Sequence, residues 1–192
     1  LTDKLEIKPV AVEDLLGRPQ VPLDKDSMAR LIGAKRVLIT GAGGSIGSEL
    51  VRQVAALGPA SLTLVDNSEY ALYRIDLEVS EQFPDIPRSS EIADVRNAVR
   101  LDQVFSTSEP HVVFHAAALK HVPMVENNVL EGIATNTLGT INVADACRVH
   151  NVSQMVLIST DKAVNPTSIM GATKRLAEIY CQARDIEDRR TV

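Results

Sequence analysis

The sequence predicts an α/β fold: an open, doubly wound parallel sheet of about five strands, ordered 3-2-1-4-5, with helices on both faces. Three observations carry that expectation. From Arg36 onward, short β-branched runs alternate with longer amphipathic segments. Each connection is long enough for a crossover helix, which makes neighbouring strands parallel and the connections right-handed. The first run also leads into a glycine-rich turn that opens a helix.

In chain order, residues 1–35 form a leader arm, because Pro9, Pro19 and Pro22 interrupt its apolar stretches before any period settles. A turn over Val12 to Leu16 ends at Gly17, and Asp24 to Ser27 cap a short helix over Met28 to Ile32 that Gly33 stops. Arg36 to Thr40 is the first strand. Its helix carries Ile46, Leu50, Val54 and Leu57 at spacings of four, four and three, which places them on one buried face. Gly58 and Pro59 end that helix, Leu62 to Asp66 is the second strand, and Leu72, Ile75, Val79 and Phe83 mark the stripe of the second helix. Ser90 to Ala93 is a short third strand, followed by a helix over residues 95–107 around Val99 and Val104. His111 to Ala117 is the fourth strand, Val125 to Val149 a long helical segment, Gln154 to Ser159 the fifth strand, and Ile169 to Ile186 the last helix.

The 192 residues suffice for one sizeable core, so residues 36–192 are read as one domain. Twenty basic against 25 acidic side chains leave a net charge of -5, which argues against a nucleic-acid-binding surface. No window has the roughly 18 unbroken apolar residues of a membrane span, and no signal peptide opens the chain. A soluble, cytoplasmic piece is expected. The chain starts at Leu1 and stops just after Arg189, Arg190 and Thr191, where a new strand is expected to begin, so it reads as an excised piece. Cys147 and Cys181, 34 positions apart, fit reduced, partly buried thiols better than a disulfide or a zinc cage.

In parallel sheets of this kind, ligands lie beyond the C-terminal strand ends. Thr40 to Gly47 is the first such place. Gly41 permits a tight turn, Gly44 a close phosphate approach, and Gly47 close packing of helix on strand, while the helix start at Ser45 and Ile46 offers N–H groups and a dipole to a pyrophosphate. The spacing is GxxGxxG: Ile46 stands where GxGxxG has its last glycine, and no Lys-Ser/Thr follows to make a P-loop. A structural strand-to-helix connection would look similar. Asp66 ends the second strand 19 positions past Gly47, where a carboxylate can accept from ribose hydroxyls. It would repel a 2'-phosphate, and Asn67 and Ser68 supply no cation, so NAD is preferred over NADP. The alternative for Asp66 is capping the next helix.

Beyond the fifth strand, Thr160, Asp161 and Lys162 put an acid beside a base, and Met170 and Lys174 share a helical face. Lys174 can hold the nicotinamide ribose and favour deprotonation of a nearby hydroxyl. In the alternative, Asp161 and Lys162 are a solvated loop pair and Lys174 a surface lysine. His111, His115 and His121 crowd one region, yet no carboxylate or cysteine completes a metal set, so no metal is expected. His111 is read as a strand-start residue and His115 as facing the core or the cofactor.

The segments GAGGSIGSEL, VDNSE, HAAALKHVP, TNTLGTINV and STDKAVNPTSIMGATKRLAE together resemble the extended short-chain dehydrogenase/reductase superfamily, and within it the capsular-polysaccharide type UDP-N-acetylglucosamine 4,6-dehydratases. The likeness runs over residues 36 to about 185, and Glu13-Asp-Leu-Leu-Gly-Arg18 resembles the stretch preceding the catalytic domain. The resemblance implies a Rossmann-type NAD-binding domain, truncated before a C-terminal substrate domain. It implies an NAD-dependent lyase for UDP-sugars in polysaccharide biosynthesis, whose isolated fragment turns over weakly or not at all. Longer members carry an N-terminal membrane region that would anchor a parent protein to the inner face of the membrane.

The superfamily's Ser/Thr-Tyr-Lys set falls by resemblance on Thr160, Met170 and Lys174. A thioether has no proton to exchange, so the base for the C4 hydroxyl stays open. Adenine contacts fall on Asp94 and Val95, nicotinamide-side contacts on Ala116, Ala117 and Lys120, and a bracing role on Asn136. In the implied chemistry, hydride leaves C4 of the sugar for NAD, Lys162 takes the acidified C5 proton, Asp161 protonates the departing 6-hydroxyl, and hydride returns to C6. That requires a lowered pKa at Lys162 and a raised one at Asp161. The alternatives are a nucleotide-sugar 4-epimerase or reductase, and a noncatalytic dinucleotide-binding module. An exposed sheet edge keeps a homo-oligomer open.

Overall fold

A computed structural model describes residues 24–188, and its five parallel strands stand in the order β3-β2-β1-β4-β5, as expected. They are β1 (Arg36–Thr40), β2 (Ser61–Asp66), β3 (Arg88–Ile92), β4 (Val112–His115) and β5 (Gln154–Leu157). Burial along the central strands is nearly continuous, as a sheet covered on both faces requires. Successive residues nevertheless serve opposite faces. Val37, Ile39, Leu62, Leu64, Val112 and Phe114 pack into one core, while Leu38, Val65 and Val113 pack into the other.

The first core is closed by α1 (Lys25–Ile32), α2 (Ser45–Ala56) and α3 (Glu69–Gln82), through Ile32, Val51, Val54, Leu72, Ile75 and Val79. The second is closed by α4 (Ala98–Ser108), α7 (Gly139–Val149) and α8 (Ile169–Asp188), through Leu101, Val104, Phe105, Val143, Cys147 and Cys181. Asp24 caps α1 by accepting from the Ser27 amide at 3.0 Å, as the sequence predicts. The readings over Val12 to Leu16 and Glu13 to Arg18 lie outside the described residues. Among those described, no helix is long and apolar enough to cross a membrane.

The structure corrects several expectations. On α2 the fully buried residues are Gly47, Val51, Val54 and Ala55, with Leu50 and Leu57 partly buried against the same core as expected, while Ile46 is 54% exposed because the helix starts with Gly47 pressed on the glycine turn. On α4, Val99 is exposed and Leu101, Val104 and Phe105 are buried. The third strand lies two residues earlier at its start than expected, and the fourth and fifth are shorter, since residues 116–118 and 158–160 leave the sheet across its rim. The long segment expected over Val125 to Val149 is four pieces: α5 (Val122–Asn127), α6 (Val129–Gly132), a π-turn (Ile133–Leu138) and α7. Asn128, at φ -136° and ψ 57°, interrupts it.

Candidate functional site

The parallel register sets Thr40 opposite Val65 and His115, Asp66 opposite Ile92, and His115 opposite Leu157. The strand ends therefore share one rim. Two hollows open there, of about 260 Å³ and about 440 Å³, with Gly44, Ala116, Ala118 and Leu119 lining both.

The glycine turn needs its glycines. Gly41 has φ +67°, and a Cβ there would come within 2.6 Å of the Ala117 amide nitrogen. At Gly47 a Cβ would overlap the Gly41 carbonyl oxygen, so the helix can sit this low only without a side chain. No side chain caps the N-terminus of α2, which leaves its first-turn N–H groups facing the rim with the helix dipole behind them. This cradle fits a pyrophosphate and so a dinucleotide cofactor.

Asp66 lines the first hollow, and its carboxylate accepts from the Gly43 and Ser68 amides at 2.9 Å each. It thus ties the glycine turn to the second strand. The capping role open to it belongs to Ser68, whose hydroxyl accepts from the Ala71 amide. Asp94, Val95, Ala116 and Ala117 line the same hollow, and its lining holds no Lys or Arg. Arg96 grips Asp94 on both carboxylate oxygens and reaches Glu131, and this holds the Asp94 carboxyl below its usual range.

The second hollow brings together Ser45, Ile46, Gly47, Lys120, Thr160, Lys162, Met170 and Lys174. Lys174 is 4% exposed and donates to the Ile158 carbonyl at 2.6 Å. Burial pushes its ammonium below the ordinary lysine value, and Glu178 partly opposes that. The surface-lysine alternative is therefore wrong for Lys174. Met170, 3% exposed, forms an apolar floor. Lys120 reaches Ser45 Oγ at 3.3 Å and links the β4 loop to the glycine turn.

Asp161 does not join them. It opens a 3₁₀ turn (Asp161–Ala163), and its side chain is 87% exposed at the hollow's edge. Lys162 lines the hollow, and Asp161 meets it from the solvent side. The Thr160 hydroxyl and Lys162 bond Asp161 Oδ1 at 3.0 and 3.3 Å and hold its carboxyl below the usual range, the opposite of the shift an acid requires. Lys162 itself is 54% exposed rather than buried.

Other side chains of the site escaped the sequence reading. Glu178 accepts from Ser159 Oγ at 2.5 Å and from Arg175, fixing the exit of β5. Glu126 on α5 accepts from the Ile169 amide at 2.7 Å, capping the helix that carries Met170 and Lys174. Gly171 lets α8 press on the Lys162 carbonyl, which a Cβ would overlap. An acid on a neighbouring helix and a glycine inside an amphipathic run leave no periodic signal. Asn136 braces as expected: it is fully buried, exchanges hydrogen bonds of 2.8 and 3.0 Å with the Leu119 backbone, and donates to Thr173 Oγ1. His111 precedes β4 and accepts from the Arg36 amide, and His115 is fully buried. Among the described residues, no three His, Cys, Asp or Glu side chains group as a metal site.

Comparison with known proteins adds to this geometry. The family described as polysaccharide biosynthesis protein matches residues 37–191. The chain is 46% identical to the capsular polysaccharide biosynthesis protein CapD of Staphylococcus aureus, over 100% of this chain and 33% of that protein. It is 36% identical to a UDP-N-acetylglucosamine 4,6-dehydratase (inverting) of Campylobacter jejuni, over 81% of this chain and 46% of that one. The Bordetella bronchiseptica enzyme WbmG, solved in complex with NAD and UDP, superposes with a TM-score of 0.64 at 25% identity, over 77% of this chain and 49% of WbmG. The chain thus spans about a third to a half of the length of these proteins.

Proposed function

Because the chain belongs to the polysaccharide biosynthesis protein family, among the extended short-chain dehydrogenases/reductases, we propose that it carries the cofactor and reaction residues of an NAD-dependent UDP-N-acetylglucosamine 4,6-dehydratase. The observation that carries this reading is that Thr160, Lys162, Met170 and Lys174 line one hollow with Gly44 to Gly47. The dehydratase name of the Campylobacter jejuni relative and the NAD and UDP held by WbmG support it.

The first-turn N–H groups of Ser45, Ile46 and Gly47 would hold the pyrophosphate, Asp66 the adenosine ribose, Asp94 and Val95 the adenine edge, and Ala116, Ala117, Lys120 and Lys174 the nicotinamide end. The carboxylate of Asp66 and a hollow lined without Lys or Arg favour NAD over NADP. When bound, the nicotinamide would supply a hydride acceptor for C4 of the hexosamine and a hydride donor for C6. Lys174 would lend positive charge near the C4 oxygen, and Thr160, whose hydroxyl donates to Asp161 Oδ1 at 3.0 Å, would orient that oxygen and pass its proton to the Asp161 carboxylate. Once C4 is a ketone, Lys162 takes the acidified C5 proton, and after water has left it gives a proton back to C5 as hydride adds at C6. Asp161 protonates the departing 6-hydroxyl, so that water leaves and a 4-keto-6-deoxy product remains. Both roles require the sugar to cover the mouth of the hollow, stripping water from an exposed pair and reversing the shift at Asp161. Ile46, Leu119 and Met170 supply an apolar wall for the non-hydroxyl faces of the ring.

Mass-detected loss of water from UDP-N-acetylglucosamine by the natural protein containing this sequence tests the reading. Water loss that depends on both Asp161 and Lys162 is expected. Epimerisation without water loss would refute it in favour of an epimerase, and no turnover with intact NAD binding would leave a binding module.

A further inference from the structure

His115 closes β4 beneath the rim, where none of the proposed chemistry uses it. It is fully buried, with Nδ1 2.6 Å from Thr40 Oγ1 and Nε2 3.0 Å from Thr140 Oγ1. The proton positions follow from one further bond. Thr140 donates its hydroxyl to the Asn136 carbonyl at 2.7 Å, and a hydroxyl has a single proton. Thr140 must therefore accept from the ring, which places the imidazole proton on Nε2. Nδ1 is then bare and accepts from Thr40. The relay runs one way, from Thr40 through the ring and Thr140 to the Asn136 carbonyl, with every proton committed.

The two ends of this relay matter. Thr40 immediately precedes Gly41, whose turn cradles the phosphates. Asn136 holds the Leu119 backbone and Thr173, next to Lys174. We propose that His115 is a positioning residue for dinucleotide binding, its imidazole fixed as the neutral Nε2–H tautomer so that the glycine turn and the Asn136 brace keep one spacing. The inference rests on the dinucleotide reading above. A second ring proton would face the Thr40 hydroxyl. Full burial together with the positive charge of Lys174, on the helix packed against this region, pushes the imidazole pKa down to about 3.

The nitrogen-15 imidazole spectrum of the unaltered chain reads the tautomer directly, and NADH titration of variants reads its consequence. The Nε2–H form should persist between about pH 5 and 8, where an ordinary histidine titrates. An amide at His115→Asn reaches the Nδ1 position and can still accept from Thr40, whereas His115→Gln reaches the Nε2 position and keeps only the Thr140 link. NADH dissociation constants should rise about tenfold for His115→Gln and for Thr40→Val, and stay within about threefold for His115→Asn. A general packing role would move the thermal midpoints of the Asn and Gln variants without separating their affinities. An Nδ1–H or doubly protonated ring at neutral pH overturns the proposal, and so do equal affinities across the three variants. If the unaltered chain fails to bind NADH, the cofactor reading and the positioning role fall together, while the spectrum still decides the relay. Thr40→Val removes only one hydroxyl, so it supplies the affinity comparison if a His115 variant does not fold.

Discussion

The two hollows share one glycine turn and are built from opposite materials. The first is lined mostly by small and apolar residues, with Asp66 already bonded to two amides and Asp94 gripped by Arg96. The second is lined by three lysines, and of its reacting pair Lys162 is half exposed while Asp161 points to solvent. Groups that bind a constant ligand can be locked in advance, because their desolvation is settled when the chain folds. Groups that must exchange protons need a pKa that changes during the reaction, and in the chain alone the Thr160 hydroxyl and Lys162 hold the Asp161 carboxyl below its usual range. On the proposed function, the contrast separates a cofactor seat locked in advance from a reaction edge that its substrate would complete.

Asp161→Asn and Lys162→Met should show the largest effect. Turnover is expected to fall about 10²- to 10⁴-fold, with NADH affinity unchanged, as measured by mass-detected dehydration and fluorescence titration in parallel. A matching loss of NADH affinity would erase the contrast. On the cofactor side, Gly47→Ala should cost about 3 kcal/mol in urea unfolding and weaken NADH binding, because the added Cβ meets the fixed Gly41 carbonyl. The pH dependence of stability comes next. His115 has a folded pKa of about 3, below its unfolded value, so the unfolded chain binds the extra proton. Stability is therefore lost as pH falls from about 6.5 toward 3, by up to about 1.4 kcal/mol per unit, and His115→Phe should lack that slope in urea midpoints taken at pH 7 and 5. Asp66→Asn should weaken NADH binding about tenfold and narrow the gap to NADPH in paired titrations. The smallest effect is the thermal stability of Lys162→Met, expected within about 0.5 kcal/mol of the parent because its ion pair is exposed.

Strand order and the glycine turn were legible because they rest on local signals: β-branched runs at regular spacing, and glycines where a positive φ or a close approach is required. Asp66 and the burial of its neighbours followed from the same pattern. The break at Asn128 and the π-turn were hidden, since apolar residues continue through them with helical spacing. Of the helix face assigned through Ile46, Leu50, Val54 and Leu57, only Ile46 fell outside the packing, because Gly47, which has no side chain, takes the buried position in the first turn. The pairing of Asp161 with Lys162 was visible as adjacency, but adjacency says nothing about burial, and the 3₁₀ turn leaves the pair bonded to each other at 3.3 Å with both side chains more than half exposed. The relay through His115 joins Thr40, Thr140 and Asn136 across separations of up to 75 residues, which no spacing rule reports.

The most direct test of the reaction edge is deuterium uptake at C5 during turnover of UDP-N-acetylglucosamine in heavy water by the natural protein, compared with its Lys162→Met variant. A C5 deuteron in the dehydrated product of the parent, with exchange and dehydration lost together in the variant, is the predicted result. C5 exchange at the parental rate without Lys162 would show that the proton is taken by another group and would contradict the account.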